Sequence, residues 1–377
     1  MLRPFKQRLI AVGVGCAAVL CLSLALFACQ KSTSHRQTGP SKPVRWVDVH
    51  AHISPQAVDR VLAILDAHGI EHIFNLSGGF PGGGLEQNLA AAARSGGRIS
   101  VMCTIPWRAY PRVRRFEPQV VQLLGRCKKM GAVGLKISKG LGLAFRDPQG
   151  RLLAVDDPRL DPIFAAAGRL GLPVSIHTGD PQAFWRPNTP ANERYAELSV
   201  HPGWSFHGQA VPSWEALWQQ FAARVRRHPR TVFVGVHFGN APEDLDRVDR
   251  LLRDCPNLYI DTAARVPEIG RHPAHKLRAF FLKHQDRILF GTDLGVGRRS
   301  LMLGSSGAEE PTPADVVHFY KSTRRFFETR DKHFAHPTPI QGTWKIDGIG
   351  LPAAVLRKIY RDNAVKLFGL KLKLKSK

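Results

Sequence analysis

The chain has 377 residues, of which 44% are hydrophobic, and a formal net charge of +24. This hydrophobic fraction is enough for a full core, so the composition excludes a wholly disordered chain. Much of the charge lies at the ends, because residues 1–45 hold seven Lys/Arg and residues 366–377 hold five Lys, with no acid in either stretch. No nucleic-acid-binding module is recognisable, so the sequence predicts no nucleic-acid partner and favours attraction of the ends to an anionic membrane surface.

The N-terminal segment has the layout of an export signal. Basic residues precede an apolar run over residues 9–28, and Cys29 follows directly. This ending is similar to the bacterial lipobox, in which a small residue precedes a cysteine that is lipidated. We expect a signal segment over residues 1–29 with lipidation at Cys29, a polar tether over residues 30–44, and a folded part facing outside the cytoplasm in the bacterial cell envelope. The alternative is an uncleaved anchor, since about 20 apolar residues can span a bilayer.

From residue 45 onward, short apolar runs alternate with amphipathic segments. The candidate strands, each rich in Val, Ile, Leu or Phe, lie near residues 45–51, 71–76, 98–105, 132–138, 172–177, 231–237, 257–262 and 287–292. Buried parallel strands have this composition. The alternation predicts a (β/α)₈ TIM barrel over residues 45–370, followed by a basic tail over residues 371–377. The alternative is an open doubly wound sheet, but no Gly-x-Gly-x-x-Gly motif follows the first strand.

Side chains that bind metals stand at the ends of several predicted strands. His50 and His52 are two residues apart at the end of strand 1, so they would point to the same side of an extended strand. His177, His237 and Asp293 end strands 5, 6 and 8. The carboxyl ends of barrel strands meet at one mouth, where barrel enzymes have their active sites. Imidazole and carboxylate groups gathered there suit Zn²⁺ or another borderline divalent ion.

These residues lie in motifs that resemble the amidohydrolase superfamily, specifically its amidohydrolase-related branch. The resemblance covers about residues 46–370 and rests on Asp48-Val-His50-Ala-His52, Gly134-Leu-Lys136, Ile176-His177, Val236-His237-Phe-Gly-Asn240 and Phe290-Gly-Thr-Asp293. It implies that one divalent ion, expected to be Zn²⁺, is held by four residues, namely His50, His52, His177 and Asp293. It also implies that His237 is the catalytic or substrate-polarising histidine.

The chemistry of such a site predicts a metal-dependent hydrolase that cleaves an amide, lactone or ester bond of a small polar or cyclic molecule. Water beside a divalent ion ionises more readily, and Asp293 can accept its proton. His237 can stabilise the developing oxyanion and protonate the leaving group. The first alternative is a metal-dependent decarboxylase of an aromatic acid, because relatives of the superfamily include non-oxidative decarboxylases. The second alternative is an exported binding protein without turnover.

Two long loops and two cationic residues are candidate substrate contacts. The loops over residues 179–212 and 294–351 follow strands 5 and 8, and loops of this length are usually functional. Arg265, just beyond strand 7, is a candidate anion binder. Lys136 ends strand 4, and three roles stay open for it: an ion-pair partner inside the barrel, a contact to a substrate carboxylate, or a carbamylated bridge between two ions, as in binuclear members of the superfamily.

Overall fold

The computed structural model describes residues 44–372. The expected signal segment, Cys29, residues 30–43 of the tether and residues 373–377 of the basic tail lie outside this range. No helix inside it is both long enough and apolar enough to cross a bilayer. The strands of this part of the chain are β1 (Trp46–Ile53), β2 (Ile70–Asn75), β3 (Ile99–Val101), β4 (Leu135–Ile137), β5 (Val174–Ile176), β6 (Phe233–Gly235), β7 (Leu258–Asp261), β8 (Ile288–Leu289), β9 (Leu294–Val296), β10 (Leu301–Leu303), β11 (Phe334–Ala335) and β12 (Lys345–Ile346).

The first eight strands run parallel and close into a ring. They belong to two five-stranded sheets with the orders β10-β9-β1-β2-β3 and β4-β5-β6-β7-β8. Backbone hydrogen bonds join the sheets at one seam, where Cys103 N donates to Gly134 O (2.9 Å) and Lys136 N donates to Cys103 O (2.8 Å). At the other seam Val49 N donates to Phe290 O (3.0 Å). The predicted (β/α)₈ barrel is confirmed, and the alternative of an open doubly wound sheet is excluded.

Helices fill the connections between the strands. They are α1 (Val58–His68), α2 (Leu85–Ala93), α3 (Phe116–Met130), α4 (Gly140–Leu143), α5 (Asp161–Arg169), α6 (Tyr195–Val200), α7 (Trp214–Arg227), α8 (Val236–Gly239), α9 (Leu245–Asp254), α10 (Val266–Ile269), α11 (Ala274–Lys283), α12 (Pro313–Glu328), α13 (Ala353–Arg357) and α14 (Asn363–Phe368), with a π-helical turn over Lys358–Asp362. In α3, for example, Val120, Leu124 and Cys127 recur at helical spacing and are buried. Gly131 ends this helix with φ 108°, a left-handed conformation that glycine adopts at little cost.

The two long loops predicted after strands 5 and 8 are present, and both contain short elements of their own. The first holds α6 and two 3₁₀ turns, Gln182–Trp185 and Pro202–Trp204. The second begins with the antiparallel pair β9 and β10, and β9 also pairs in parallel with β1. The start of the second loop is therefore part of the barrel sheet, next to the predicted metal ligands of strand 1.

The inside of the barrel has its own apolar core, which the end of the chain closes. Phe74 of β2 lies within this core, and its ring centroid is 4.4 Å from that of Phe368. We call residues 363–372 the C-terminal plug, because Ala364 is buried in this core and Leu367, Phe368, Leu370 and Leu372 pack against it. The buried residues of this inner core are Val47, Val49, Phe74, Leu76, Met102, Val234, Leu289 and Ala364.

Candidate metal centre and active site

Three of the predicted metal ligands come together where β1 and β8 end. His50, His52 and Asp293 each offer one ligand atom, and these three atoms lie within 4.8 Å of one another. The Oδ1 atom of Asp293 is 3.4 Å from His50 Nε2 and 3.3 Å from His52 Nε2. Two imidazole nitrogens and a carboxylate oxygen around one point are the donor set of a divalent-ion site.

Hydrogen bonds at the opposite nitrogen orient both imidazole rings. His50 Nδ1 lies 2.8 Å from Asp261 Oδ2, and His52 Nδ1 lies 2.6 Å from Ser77 Oγ. The carboxylate of Asp261 can only accept, so it places the ring proton of His50 on Nδ1 and leaves Nε2 free to bind a metal. The Ser77 hydroxyl can accept from His52 Nδ1 in the same way. Neither Asp261 nor Ser77 was predicted as a site residue. The available signal for Asp261 is that it ends an apolar strand, as Asp293 does.

The charges of this group fit a cation. Burial lowers the pKa of His50, so its ring is neutral and its lone pair is available. Burial disfavours the charge of Asp293, but His50 and His52 together lower the pKa of this carboxyl well below its usual range, so it is ionised. Nε2 of His50 is buried and has no hydrogen-bond partner among residues 44–372. A buried nitrogen without a hydrogen-bond partner, next to an ionised carboxylate, is expected of a metal ligand when no ion is bound.

His177, the fourth predicted ligand, lies at the same mouth but outside this group of three. Its Nε2 is 3.6 Å from Asp180 Oδ1, and its ring centroid is 4.3 Å from that of His237. Burial lowers the pKa of His177 to about 4, against the opposing effect of Asp180, so the ring is neutral. Its role as a ligand stays a prediction.

His237 follows β6 in an unusual backbone conformation. Its φ and ψ are 54° and 50°, in the left-handed region that few non-glycine residues adopt. Nδ1 lies 2.9 Å from Ala263 O, a contact in which the ring nitrogen must be the donor. Burial, followed by the neighbouring His177 ring and the positive charge of Arg265, holds the pKa of His237 well below its usual value. The ring is therefore neutral with its proton on Nδ1, and Nε2 can accept a proton.

The two predicted substrate cations are both buried. Lys136 is 5% exposed, and its Nζ has no hydrogen-bond partner in the described part of the chain. Burial lowers the pKa of Lys136 to about 8, although Asp261 and Asp293 oppose this shift. Arg265 donates from Nη1 to Ala264 O (3.0 Å), and the same nitrogen is 3.9 Å from Glu268 Oε1. Among residues 44–372, Lys136 has no carboxylate partner within ion-pair distance and Arg265 has only the long contact to Glu268, so each can bind an anion.

A cavity of about 100 Å³ opens over these groups. His177, His237, Arg265 and Asp293 line it. Both long loops supply further walls, which include Phe184, Trp204, Met302, Ser305 and Gln341. The cavity therefore combines two of the predicted metal ligands, His177 and Asp293, with a buried cation and two aromatic side chains.

Comparison with known proteins identifies the family of the chain. The family model described as Amidohydrolase matches residues 47–370, which includes all of the predicted metal ligands. The chain belongs to the amidohydrolase family. As an amidohydrolase, it is a metal-dependent enzyme of a group that contains both hydrolases and decarboxylases. No curated protein matches the sequence significantly.

Solved structures similar to this amidohydrolase share its fold at low sequence identity. One is 2,6-dihydroxybenzoate decarboxylase in complex with 2,6-dihydroxybenzoate, with 17% identity over 87% of this chain and 100% of that one and a TM-score of 0.52. The same enzyme from Rhizobium has 17% identity over 87% and 99% of the two chains and a TM-score of 0.50. At these identities, only the fold is shared.

Proposed function

We propose that this amidohydrolase is a hydrolase that cleaves a C–N or C–O bond, in an amide, lactone or ester, of a small polar or cyclic molecule. The observation that carries the proposal is the contact of His237 Nδ1 with Ala263 O at 2.9 Å, which leaves Nε2 of His237 without a proton at the same mouth as the carboxylate of Asp293. Hydrolysis begins with removal of a proton from the attacking water, for which two unprotonated acceptors are suited.

One divalent ion, which we propose to be Zn²⁺, would be held by His50, His52 and Asp293, with His177 as the fourth ligand. When bound, it would supply Lewis-acid polarisation of the substrate and would favour ionisation of water. His237 Nε2 would take up the proton of the attacking water and return it to the leaving group. Arg265 and Lys136 would orient a substrate that carries a negative charge.

A decarboxylase of an aromatic carboxylic acid is the second candidate, and the cavity walls favour it. Phe184 and Trp204 line the cavity together with Arg265, a combination that suits an aromatic acid. Decarboxylation breaks a C–C bond, releases CO₂ and requires a proton on the ring carbon. His237 holds its proton on Nδ1, toward Ala263 O, so this reaction would first need protonation of Nε2.

The test is a panel of lactones, esters, amides and aromatic acids, incubated with the metal-loaded protein while acid release and CO₂ are followed separately. We expect acid release without CO₂, and we expect it to be lost in His237→Ala. Release of CO₂ from an aromatic acid would establish the decarboxylase instead. Binding of panel members with no turnover of any of them would favour the exported binding protein.

We also propose that the barrel, over residues 45–370, is held at the bacterial cell envelope by a lipid on Cys29. Support comes from the sequence alone, from the apolar run over residues 9–28 and the cysteine that follows it. Cys29→Ser should abolish labelling by a radioactive fatty acid and release the protein from the membrane fraction. Persistent labelling would contradict the lipidation site, and membrane retention without any labelling would indicate an uncleaved anchor.

A further inference from the structure

Asp261 is a buried carboxylate at the end of β7, and both of its oxygens are used within the site. Its Oδ2 lies 2.8 Å from His50 Nδ1. Its Oδ1 accepts hydrogen bonds from two backbone groups, the N–H of His237 (2.8 Å) and the N–H of Ala263 (3.1 Å). Asp261 is 1% exposed, so water cannot replace these contacts.

The first contact sets the chemistry of His50. A carboxylate can only accept a hydrogen bond, so His50 must carry its proton on Nδ1 and present Nε2 toward His52 and Asp293. Partners of this kind orient metal-binding histidines and raise their basicity. Asp261 therefore determines which nitrogen of His50 is offered to the cation.

The second set of contacts holds His237 in place. The left-handed backbone of His237 is costly for a residue with a side chain, and Phe238 next to it has φ 60° as well. A hydrogen bond from His237 N to a buried charged acceptor stabilises this conformation. Ala263 is held by the same oxygen, and its carbonyl accepts the hydrogen bond from His237 Nδ1. Asp261 thus fixes both the backbone and the ring of His237.

We propose that Asp261 is the positioning residue that couples the metal centre to the catalytic histidine. It would touch neither the metal nor the substrate, and it would act by fixing the Nδ1-protonated form of His50 and of His237 at the same time. The assignment of His237 as catalytic rests on the proposed function. The positioning itself does not depend on which reaction the enzyme catalyses.

Asp261→Asn tests this coupling in the full-length protein. An asparagine has the same shape but only one acceptor oxygen, so it cannot accept from His50 Nδ1 and from the two backbone N–H groups together. We expect Zn²⁺ affinity, measured by competition with a chelator, to fall about 10–100-fold, the range seen when such partners of metal ligands are removed. We also expect ¹⁵N NMR of labelled histidines to show a mixture of ring tautomers where the parent protein has one.

Asp147→Asn is the matched control. Asp147 is also a buried carboxylate, with Arg151 at 2.9 Å and Arg159 at 3.3 Å, but it does not line the cavity. This variant should keep both the Zn²⁺ affinity and the histidine tautomers of the parent protein. An equal loss of affinity in the two variants would overturn the proposal, because it would reflect general destabilisation.

Two further results would also overturn it. One is Asp261→Asn with unchanged Zn²⁺ affinity and unchanged tautomers. The other needs no variant to fold: in the metal-free parent protein, ¹⁵N spectra that place the proton of His50 or of His237 on Nε2 would contradict the coupling. Neither measurement involves a substrate, so a failure of the hydrolase proposal in the substrate panel would leave this inference standing, and the reverse also holds.

Discussion

The two sides of the barrel mouth are built differently. On the β1/β8 side, His50, His52 and Asp293 point their ligand atoms at one place, with an aspartate or serine behind each ring. On the β5/β6 side, the rings of His177 and His237 meet edge to face with centroids 4.3 Å apart.

This difference indicates a division of labour. The β1/β8 side collects two imidazole nitrogens and one carboxylate oxygen, which favours a cation. On the β5/β6 side, burial holds the pKa of both rings below the usual value, so both imidazoles are neutral. His177 can then serve as the fourth ligand, while Nε2 of His237 can accept a proton. We expect substitutions on the first side to remove the metal, and those at His237 to remove turnover only.

The largest expected effect is loss of the metal from the β1/β8 side. Replacing both His50 and His52 by Ala removes two of the three grouped ligand atoms, and one carboxylate alone does not hold a divalent ion tightly. Elemental analysis should find about one metal per chain in the parent protein and almost none in the double variant. Equal metal content in the two proteins would show that the ion is held elsewhere.

His237→Ala should separate the two sides. The metal should stay, while turnover should fall by about 10²–10⁴-fold, the range for a general acid–base group. His177→Ala is the informative companion, because a fourth ligand should lower metal content where His237→Ala does not. An unchanged rate in His237→Ala would make this histidine structural, and unchanged metal affinity in His177→Ala would leave only three ligands.

Lys136 sits between the two sides, and its burial predicts a pH-dependent stability. Its pKa is about 8 in the fold, against 10.5 ordinarily, so the unfolded chain binds more protons between these values. In the metal-free protein Lys136→Met should raise the free energy of unfolding by about 3 kcal/mol below pH 8. This advantage should disappear as the pH rises from 8 to 10.5, which urea unfolding at several pH values can measure.

The same variant decides the metal count. We expect one tightly bound ion per chain, retained in Lys136→Met, since Lys136 is not one of the grouped ligands. Two ions per chain, with loading that depends on bicarbonate and is lost in the variant, would instead indicate a carbamylated lysine and would make His237 a ligand of the second ion.

The smallest effect is expected at Ser77. Its Oγ contacts His52 Nδ1 at 2.6 Å, but His52 is 36% exposed, so water can replace the hydroxyl. Ser77→Ala should therefore weaken metal binding only about 5-fold, the worth of one neutral hydrogen bond. If Ser77→Ala weakened metal binding as much as Asp261→Asn, the exposed hydrogen-bond partner of His52 would matter as much as the buried partner of His50, and this prediction would be wrong.

The barrel strands were predictable because their pattern is local. The run near residues 45–51 corresponds to β1 (Trp46–Ile53), and the run near 257–262 corresponds to β7 (Leu258–Asp261). The short spacing of His50 and His52 likewise placed both at one strand end. A register shift between Asp48 and Ala51, where β1 pairs with β2, was not predictable, because it depends on the neighbouring strand.

Asp261 and the backbone conformation of His237 were not predicted, because they too depend on contacts between residues that are far apart in the sequence. Asp261 contacts His50 across 211 residues of sequence, so no periodic pattern links them. The left-handed backbone of His237 depends on Asp261 as well, and only the following Gly239 and Asn240, which also have positive φ, hint at a tight turn there. The end of a strand can be predicted from its local sequence, whereas contacts between the ends of different strands form only when the barrel has closed.

The C-terminal plug makes this barrel a fold that is completed late in synthesis. Val47 and Val49 leave the ribosome early, yet β8, β9 and the plug residues that complete their surroundings come near the end of the chain. Translation proceeds at about 5–20 residues per second, so many seconds separate the two. Throughout that interval the inner apolar surface lacks its final cover and is open to aggregation.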